Sequence, residues 1–379
     1  MTHVCLGDVA REIKQKVPVD QELPTVGLEH LDPGEVELAH WDEGVETTFT
    51  KAFSKGQVLF GRRRAYLRKA AVAPFDGICS GDITVIAPKD NLSPRLLPFI
   101  IQNDALFEHA VTNSAGSLSP RVKWQSLSQF EFELPSIAKQ EDLADILWTA
   151  QETRSHYRQL LTASDDVVKS QFVEMFGGPD PTESDCLPVT IGELAADIRY
   201  GTSKKASDSG EFKYLRMNNM TDDGRLDLSD LKYIDLSGAE LENAKVVRGD
   251  LLFNRTNSRE KVGKTCVFNK NEPMVIAGYI VRVRFDERVE PGYVSAFLNS
   301  SYGKGLLRKM AKGAVGQANI SAKEMAKIEL PLPPIELQRS FLDFAASVDK
   351  SKFAVQKALD ELNATTKKIL NQELGLGDV

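Results

Sequence analysis

The stretch FELPSIAKQEDLADIL, from Phe132 to Leu147, has a counterpart in IELPLPPIELQRSFLDF, from Ile328 to Phe344. Each copy has a short apolar segment that ends at Leu-Pro, followed by a polar segment that contains a glutamine and acidic residues. Proline is tolerated at the start of a helix but interrupts a strand, so each copy predicts a strand followed directly by a helix. Because the same junction occurs twice, the chain is predicted to contain a structural repeat.

The repeat extends outward from these junctions over most of the chain. Corresponding segments are Leu6–Val9 with Ile191–Leu194, Lys55–Phe60 with Arg248–Phe253, and Asp76–Gly81 with Met274–Tyr279. The separation between corresponding residues drifts slowly along the chain, as expected for two copies of one unit that differ by insertions. Each copy is predicted to be a mixed domain followed by a helix.

The composition is that of an ordinary globular protein. The chain has 379 residues, of which 42% are hydrophobic and 27% charged, which is enough for two or three domains. It has no apolar run of about 18 residues and no apolar core near the N-terminus, so we expect a cytoplasmic protein with no membrane contact. The four cysteines are far apart, which argues against a zinc site or a disulfide framework.

The net charge of −7 conceals two cationic tracts. No acidic residue occurs between Thr47 and Phe75 or between Ser301 and Ile320, and both segments contain several lysines and arginines. One such tract is usually a solvated surface. Because a tract occurs in both halves, two defined surfaces that meet a polyanion are an equally good interpretation of the charge pattern.

Short β-branched or aromatic runs predict strands in both halves, for example Ile83–Ile86 and Ile280–Phe285. Helical spacing over Leu96–Val111 and Tyr293–Met310 predicts one helix in each half, leading into the loops SAGSLSPRVKW and AKGAVGQANIS. After the Leu-Pro junctions, apolar residues recur at heptad spacing for about 35 to 40 residues, which predicts two long helices paired antiparallel. The predicted seam comprises Leu143, Leu147, Ala150, Tyr157, Leu161, Val168, Phe172 and Met175, and Leu337, Phe341, Phe344, Val348, Val355, Leu359, Leu362 and Ile369.

Motifs in both halves of the sequence resemble those of a known family. The segment FNRTNSREKVGKTCVF (Phe253–Phe268), with GAVGQANIS and IELPLPPIELQ, resembles the second half of a specificity subunit of a type I DNA restriction–modification system. LFGRRRAYLRKAAVAPFDGICSGDI (Leu59–Ile83), with SPRVKW and FELPSIAKQ, resembles the first half. The resemblance runs through nearly the whole chain and accounts for the duplication.

This resemblance implies an α+β fold with two similar mixed α/β target-recognition domains in pseudo-twofold tandem, separated by two long antiparallel coiled-coil helices. The expected boundaries are residues 1–134 and 179–332 for the two recognition domains, and 135–178 and 333–375 for the spacer helices. Each domain would read one half of a split site in double-stranded DNA.

The resemblance also implies partner subunits. Two modification subunits would dock on the helices and bring S-adenosylmethionine and the adenine-methylating site, and restriction subunits would bring the ATP-driven translocase and the Mg²⁺-dependent nuclease. The chain itself is expected to be non-catalytic and without a cofactor of its own. Because its net charge is −7, we expect the isolated chain to bind DNA more weakly than the assembled complex.

Candidate DNA-contacting residues are the cationic and amide side chains of the tracts and loops. Phosphate contacts position a duplex, whereas Arg can bond guanine, and Asn or Gln adenine, at two atoms each, so Arg121, Lys123, Gln317 and Asn319 are the expected base readers. Alternatively, an arginine stacks on Tyr66, and Asn319 caps the turn before Ser321. The full set is Arg62, Arg63, Arg64, Arg68, Lys69, Arg121, Lys123, Arg255, Arg259, Lys261, Lys264, Lys312, Gln317 and Asn319.

Two other functions remain open at this level. Asp180, Glu211 and Lys213 could serve a Mg²⁺-dependent DNA endonuclease, although their spacing is loose. The long helices could instead belong to a coiled-coil scaffold with no role in nucleic-acid binding. Val262-Gly263-Lys264-Thr265 lacks the earlier glycine of a phosphate-binding loop, because Ser258 stands there.

Overall fold

The computed structural model describes residues 1–18, 22–44, 46–177, 186–312 and 318–377. The chain forms two compact units. Unit 1 comprises Met1–Leu160 and Ala354–Val379, and unit 2 comprises Leu161–Phe353. Each unit therefore contains one half of the repeat together with parts of both long helices.

The described residues of unit 1 form a mixed domain with three small sheets. Its antiparallel strands β1 and β9 form one pair, β2-β8-β5-β6 form an antiparallel sheet, and β3-β7-β4 form a third sheet in which β3 and β7 are parallel. The elements are β1 (Thr2–Cys5), α1 (Leu6–Val9), β2 (Ala10–Ile13), β3 (Thr25–Val26), β4 (Lys51–Phe53), β5 (Val58–Gly61), β6 (Ala70–Val72), β7 (Gly77–Cys79), β8 (Ile83–Pro88), α2 (Leu97–Ile101), α3 (Asp104–Thr112), α4 (Trp124–Leu127), β9 (Glu131–Leu134) and the first part of α5 (Ile137–Phe176).

Unit 2 repeats this arrangement. The pair β10-β21 matches β1-β9, the sheet β11-β19-β15-β17 matches β2-β8-β5-β6, and β12-β18-β14 matches β3-β7-β4 with β13 added at the edge. Its elements are β10 (Pro188–Thr190), α6 (Ile191–Leu194), β11 (Ala195–Tyr200), β12 (Phe212–Leu215), β13 (Lys232–Ile234), α7 (Gly238–Ala244), β14 (Lys245–Val246), β15 (Leu251–Asn254), β16 (Thr256–Asn257), β17 (Thr265–Val267), β18 (Met274–Ile276), β19 (Ile280–Phe285), α8 (Pro291–Asn299), α9 (Ser301–Met310), β20 (Ala318–Asn319), α10 (Ala322–Met325), β21 (Glu329–Pro331) and α11 (Ile335–Glu373). The repeat and the α+β class predicted from the sequence are confirmed.

The prediction of one continuous helix before each loop was wrong. In unit 1 the segment is two helices, α2 and α3, because Asn103 has an extended backbone and its side chain accepts the Ala105 N–H as the cap of α3. In unit 2 Ser300 separates α8 from α9 in the same way and accepts the Gly303 N–H. A capping side chain satisfies amide groups that a new helix leaves open, so it favours a break even where apolar spacing continues.

The two long helices pair within each unit. In unit 1, Arg154 of α5 donates to Asn363 of α11 at 2.7 Å. In unit 2, Lys352 of α11 pairs with Asp165 of α5, and the rings of Phe172 and Phe341 pack edge to face. Residues that come later in α5 thus pair with residues that come earlier in α11, which is the antiparallel register expected from the sequence.

The predicted seam is apolar mainly near the domains. Leu143, Leu147 and Ala150 are buried in unit 1, and Phe172 and Phe341 in unit 2. Leu337, in contrast, is exposed, and the neighbouring Gln338 takes the inward position. The prediction for Leu337 was wrong. The heptad pattern was extended into the first turn of α11, where the polar bonds of Gln338 to the domain decide which side chain is buried.

A buried glutamine forms this junction in both units. Gln140 accepts the Ser93 N–H at 2.8 Å and donates to the carbonyls of Pro135 and Asn91, at 2.9 and 3.2 Å. Gln338 accepts the Glu290 N–H at 2.8 Å and donates to Pro333 and Arg288, at 2.8 and 3.3 Å. Both side chains are almost inaccessible to solvent. These are the glutamines of the two repeated Leu-Pro junctions, and each attaches a long helix to its own domain.

None of the helices formed by the described residues is sufficiently long and apolar to cross a membrane.

We predict that Gln140→Ala and Gln338→Ala each destabilise one unit. Each leaves a buried amide and two carbonyls without partners, which costs about 1–3 kcal/mol. Hydrogen exchange followed by mass spectrometry should show faster exchange around Ser93 in the first variant and around Glu290 in the second. Gln159→Ala, at an exposed position of α5, is the control. Unchanged protection at both amides would show that the glutamines do not carry this junction.

Candidate nucleic-acid interface

Three chain segments meet at one arginine in each unit. In unit 1 the Arg62 N–H, just after β5, donates to the Asp82 carbonyl at 3.0 Å, and the Arg62 carbonyl accepts the Val122 N–H at 3.0 Å. In unit 2 the Arg255 N–H donates to the Tyr279 carbonyl, and its carbonyl accepts the Ile320 N–H, both at 2.9 Å. Arg62 and Arg255 are therefore equivalent, and both belong to the candidate set.

The next residue in each unit pairs with the end of the long loop. Arg63 forms a β-bridge with Arg121, and Thr256 pairs with Asn319 in β16 and β20. Arg121 also exchanges backbone hydrogen bonds with Ala115, as Asn319 does with Lys312. Two expected base readers, Arg121 and Asn319, thus occupy the same position in the two units.

One carboxylate pairs with both arginines at this position in unit 1. Asp82 accepts hydrogen bonds from Arg121 Nε at 2.7 Å and Nη2 at 3.3 Å, and from Arg63 Nη1 at 3.3 Å. The bonds from Arg121, with burial opposing them, hold the pKa of Asp82 below its usual value. Arg63 donates from Nη2 to Ser119 Oγ at 3.2 Å. Sequence patterns gave no sign of Asp82, because it lies far along the chain from Arg121.

The other cations of the candidate set in unit 1 differ in exposure and in their bonding partners. Arg64 is exposed and Lys123, the residue that precedes α4, is exposed as well. Arg68 pairs with Asp104 and with Glu108, the latter at 3.7 Å, so its guanidinium binds carboxylates of α3. Lys69 donates to the Leu28 carbonyl at 2.7 Å, which ties it to the domain interior.

Unit 2 positions its equivalent arginine differently. The guanidinium of Arg255 lies over the ring of Tyr200, 5.1 Å from the centroid, and the Tyr200 hydroxyl accepts the Ala322 N–H at 3.0 Å. Thr256 donates to Asn319 Oδ1 at 3.4 Å. Ser321 is the N-cap of α10. Asn319 is exposed, and the alternative that it caps the turn before Ser321 stays a prediction.

A small cationic cavity of about 270 Å³ lies in unit 2. Lys261, Lys264, Lys304 and Arg308 line it together with Asp222 and Glu260. Lys264 is bound on the inside, with Nζ 2.8 Å from Asp222 Oδ1 and 3.3 Å from the Met220 carbonyl, and its hydrogen bond lowers the pKa of Asp222. Lys304 and Arg308 were absent from the predicted set although they belong to the second cationic tract.

Some of the remaining candidate residues of unit 2 are exposed, and one pairs with a carboxylate. Arg259 and Lys261 are exposed. Lys312 pairs with Glu324 at 2.6 Å, and this bond, with those from Ser321, lowers the pKa of Glu324 to about 2. Gln317 lies outside the described residues.

The residues of the endonuclease alternative do not form a described site. Asp180 lies outside the described residues, and Lys213 pairs with Glu272 at 2.6 Å. Among the described residues no group of three His, Cys, Asp or Glu side chains is arranged to bind a metal ion.

Lys69 and Lys264 occupy equivalent positions, directly before β6 and β17. Each donates to a carbonyl in the segment that follows β3 or β12, so we predict a structural role for both. Lys264→Ala should destabilise unit 2 by about 1 kcal/mol because it removes two hydrogen bonds of a mostly buried ammonium group. Lys261→Ala, in the same cavity but exposed, should change stability little. Thermal unfolding measures both. Equal midpoints for the two variants would return Lys264 to the set of free surface cations.

Comparison with known proteins identifies the family. Residues 184–372 match the model of the type I restriction modification DNA specificity domain. The chain is 24% identical over 286 residues to the type I restriction enzyme EcoKI specificity subunit of Escherichia coli K12; the match covers 70% of this chain and 62% of that subunit. The chain thus spans less than two thirds of that relative's length.

Two solved structures share the fold. One is described as the "structural basis underlying complex assembly and conformational transition of the type I R-M system"; it is 19% identical, has a TM-score of 0.62, and the match covers 100% of this chain and 98% of that one. The other is the type I restriction–modification S subunit from M. genitalium, at 12% identity and a TM-score of 0.57, over 100% of this chain and 96% of that one. The chain belongs to the family of type I restriction–modification DNA specificity subunits.

Proposed function

We propose that this chain reads a split sequence in double-stranded DNA, one half with each unit, for a type I restriction–modification complex. As a specificity subunit it is non-catalytic, since chemistry in such a system belongs to other subunits. The observation that carries the proposal is that the two units have the same backbone frame but different side chains at one position. Arg63 and Arg121 stand there in unit 1, and Thr256 and Asn319 in unit 2.

Physical reasons connect this difference with base reading. An arginine fork matches the two acceptors of guanine, whereas an asparagine amide matches the acceptor and donor of adenine. Two units that differ at this position would therefore prefer different bases, and the whole site would be asymmetric. In contrast, Arg62 and Arg255 are the same residue in both units, which suits contact with the phosphate backbone, the part of DNA that does not vary.

The long helices support a role as spacer and docking surface. They contain 40 and 39 residues, which at ~1.5 Å per residue gives lengths of about 60 Å, nearly two turns of DNA at ~34 Å per turn. Ile146, Val167 and Phe353 expose 51%, 49% and 73% of their surface on these helices. We assign these exposed apolar side chains to the surface that docks two modification subunits.

The cofactors of the reaction would belong to those partners. Modification subunits would supply S-adenosylmethionine, and restriction subunits would supply ATP, Mg²⁺ and the translocase. We place the complex in the cytoplasm, where its DNA substrate lies.

Methylation mapping tests the proposal directly. We expect the chain, coexpressed with its modification subunit, to give adenine methylation at a single two-part motif with a fixed gap across a test genome. Omission of this chain is the control and should abolish that pattern. A stable complex that methylates nothing with S-adenosylmethionine supplied, or that methylates without sequence preference, would contradict the proposal.

Variants at the equivalent positions should separate affinity from base preference. We expect Arg62→Ala and Arg255→Ala to weaken binding to cognate and unrelated duplexes alike and to reduce the salt dependence by about one phosphate contact each. Arg121→Ala and Asn319→Ala should each cost about 1–3 kcal/mol of discrimination in one half of the motif only. Fluorescence anisotropy of the complex at several salt concentrations measures both effects.

The matched control for charge is Arg11→Ala, an exposed position on β2 outside the interface. It removes one positive charge from unit 1. Both base discrimination and the number of phosphate contacts inferred from the salt dependence should stay unchanged. A loss of discrimination in both halves after Arg121→Ala would contradict the assignment of one half-site to each unit.

A further inference from the structure

We propose that Asp82 is a specificity-determining positioning residue, which holds the guanidinium of Arg121 in the orientation needed to bond a guanine in one half of the DNA site. This inference rests on the proposed function. It concerns a carboxylate that contacts no base itself and acts through the arginine.

The backbone of Asp82 is fixed before any ligand binds. The residue lies in the turn between β7 and β8, where its N–H donates to Ser80 Oγ at 3.2 Å and its carbonyl accepts the Arg62 N–H at 3.0 Å. The following residue, Ile83, donates to the Ser80 carbonyl at 3.0 Å. The carboxylate is therefore attached to a turn with little freedom, and its side chain is only 21% exposed.

The carboxylate uses one edge of the Arg121 guanidinium and leaves another available. It accepts from Nε and Nη2, whereas Nη1 makes no hydrogen bond with the described residues. The arginine side chain is 43% exposed. A guanidinium fixed along its side edge can still present its end edge, Nη1 and the outer hydrogen of Nη2, to the two acceptors of guanine.

Arg63 also binds this carboxylate. It donates to the same carboxylate oxygen as Arg121 Nη2, and its own Nη2 binds Ser119 in the loop that leads to Arg121. Arg63 and the β-bridge between Arg63 and Arg121 thus keep the loop end beside Asp82. A long side chain that is already ordered loses less conformational freedom on binding, which favours the correct base over others.

Unit 2 lacks both the carboxylate and the two arginines at the equivalent positions. The position equivalent to Asp82 is Tyr279, whose carbonyl accepts from Arg255 as the Asp82 carbonyl accepts from Arg62. Where Thr256 and Asn319 replace the two arginines, an acidic residue at this position would have nothing to orient. The backbone role is thus common to both units, and the carboxylate is specific to the unit with Arg121.

The test measures base preference at every position of the motif. The chain in complex with its modification subunit is incubated with duplexes that carry each single base-pair change in the mapped motif. We expect Asp82→Asn to reduce discrimination at one G·C pair of one half-site by at least about fivefold, which is the lower limit for a lost bidentate contact. Discrimination in the other half-site should not change, so the second unit is an internal control.

Two further variants make the result specific. Asp90→Asn removes the same charge from an exposed position in unit 1 and should keep the wild-type profile. Arg121→Lys keeps the charge but lacks the planar fork, and should relax the same base pair as Asp82→Asn. The double variant Asp82→Asn, Arg121→Lys should relax that pair no further than Arg121→Lys alone. Arg121→Lys also tests the idea if Asp82→Asn does not fold.

The possible outcomes separate the two proposals. A wild-type complex that discriminates at no position overturns the proposed function and this inference with it. A discriminating wild type with an unchanged profile in Asp82→Asn, or in Arg121→Lys, overturns the positioning role alone. Uniformly tighter binding in Asp82→Asn with the same profile would make the carboxylate only a competitor of phosphate, and a uniform loss in both half-sites with a lower melting temperature would make it only structural. Both results overturn the inference.

Discussion

A buried carboxamide connects each long helix to its domain, and the rest of the architecture depends on it. Gln140 and Gln338 each accept one backbone N–H and donate to two carbonyls, one of them in the Pro turn that ends a strand. An amide is suited to this task because it is both donor and acceptor without a charge that burial would penalise. Satisfied polar groups of this kind fix one geometry, whereas apolar contact alone would allow the helix to rotate or slide.

The internal repeat lets one half of the molecule serve as a comparison for the other. The backbone bonds of Arg62 and Arg255 are the same, and so are those of Arg121 and Asn319. What differs is the side-chain chemistry carried on that frame, with an Asp82–Arg121 pair in unit 1 and an Arg255–Tyr200 stack in unit 2. A fixed frame with exchangeable side chains can present different hydrogen-bond patterns to DNA without a change in fold.

The sequence predicted those features that depend on local patterns. Strands such as β8 and β19, the repeat and the two long helices follow from apolar periodicity and from the Leu-Pro junctions. The break at Asn103 was missed because a single capping hydrogen bond outweighs continued helical spacing. Asp82 and the internal bonds of Lys69 and Lys264 were missed because their partners lie 39, 41 and 44 residues away, and no local pattern encodes such contacts. The sequence thus predicted the candidate surface as a set of cations, but not the arrangement of their side chains.

Charge pairing explains how an acidic chain can carry such a surface. Several of the candidate cations already have a carboxylate partner, as in Arg68 with Asp104, Lys264 with Asp222 and Lys312 with Glu324. Pairs of this kind lower the local positive potential that attracts DNA, and those that are exposed contribute little to stability, about 0–1 kcal/mol. A phosphate must compete with the carboxylate for each paired cation, so fewer counterions are released per arginine or lysine than the sequence count suggests. Weak attraction by the chain alone would leave discrimination to the oriented side chains, and affinity to the partners that share the duplex.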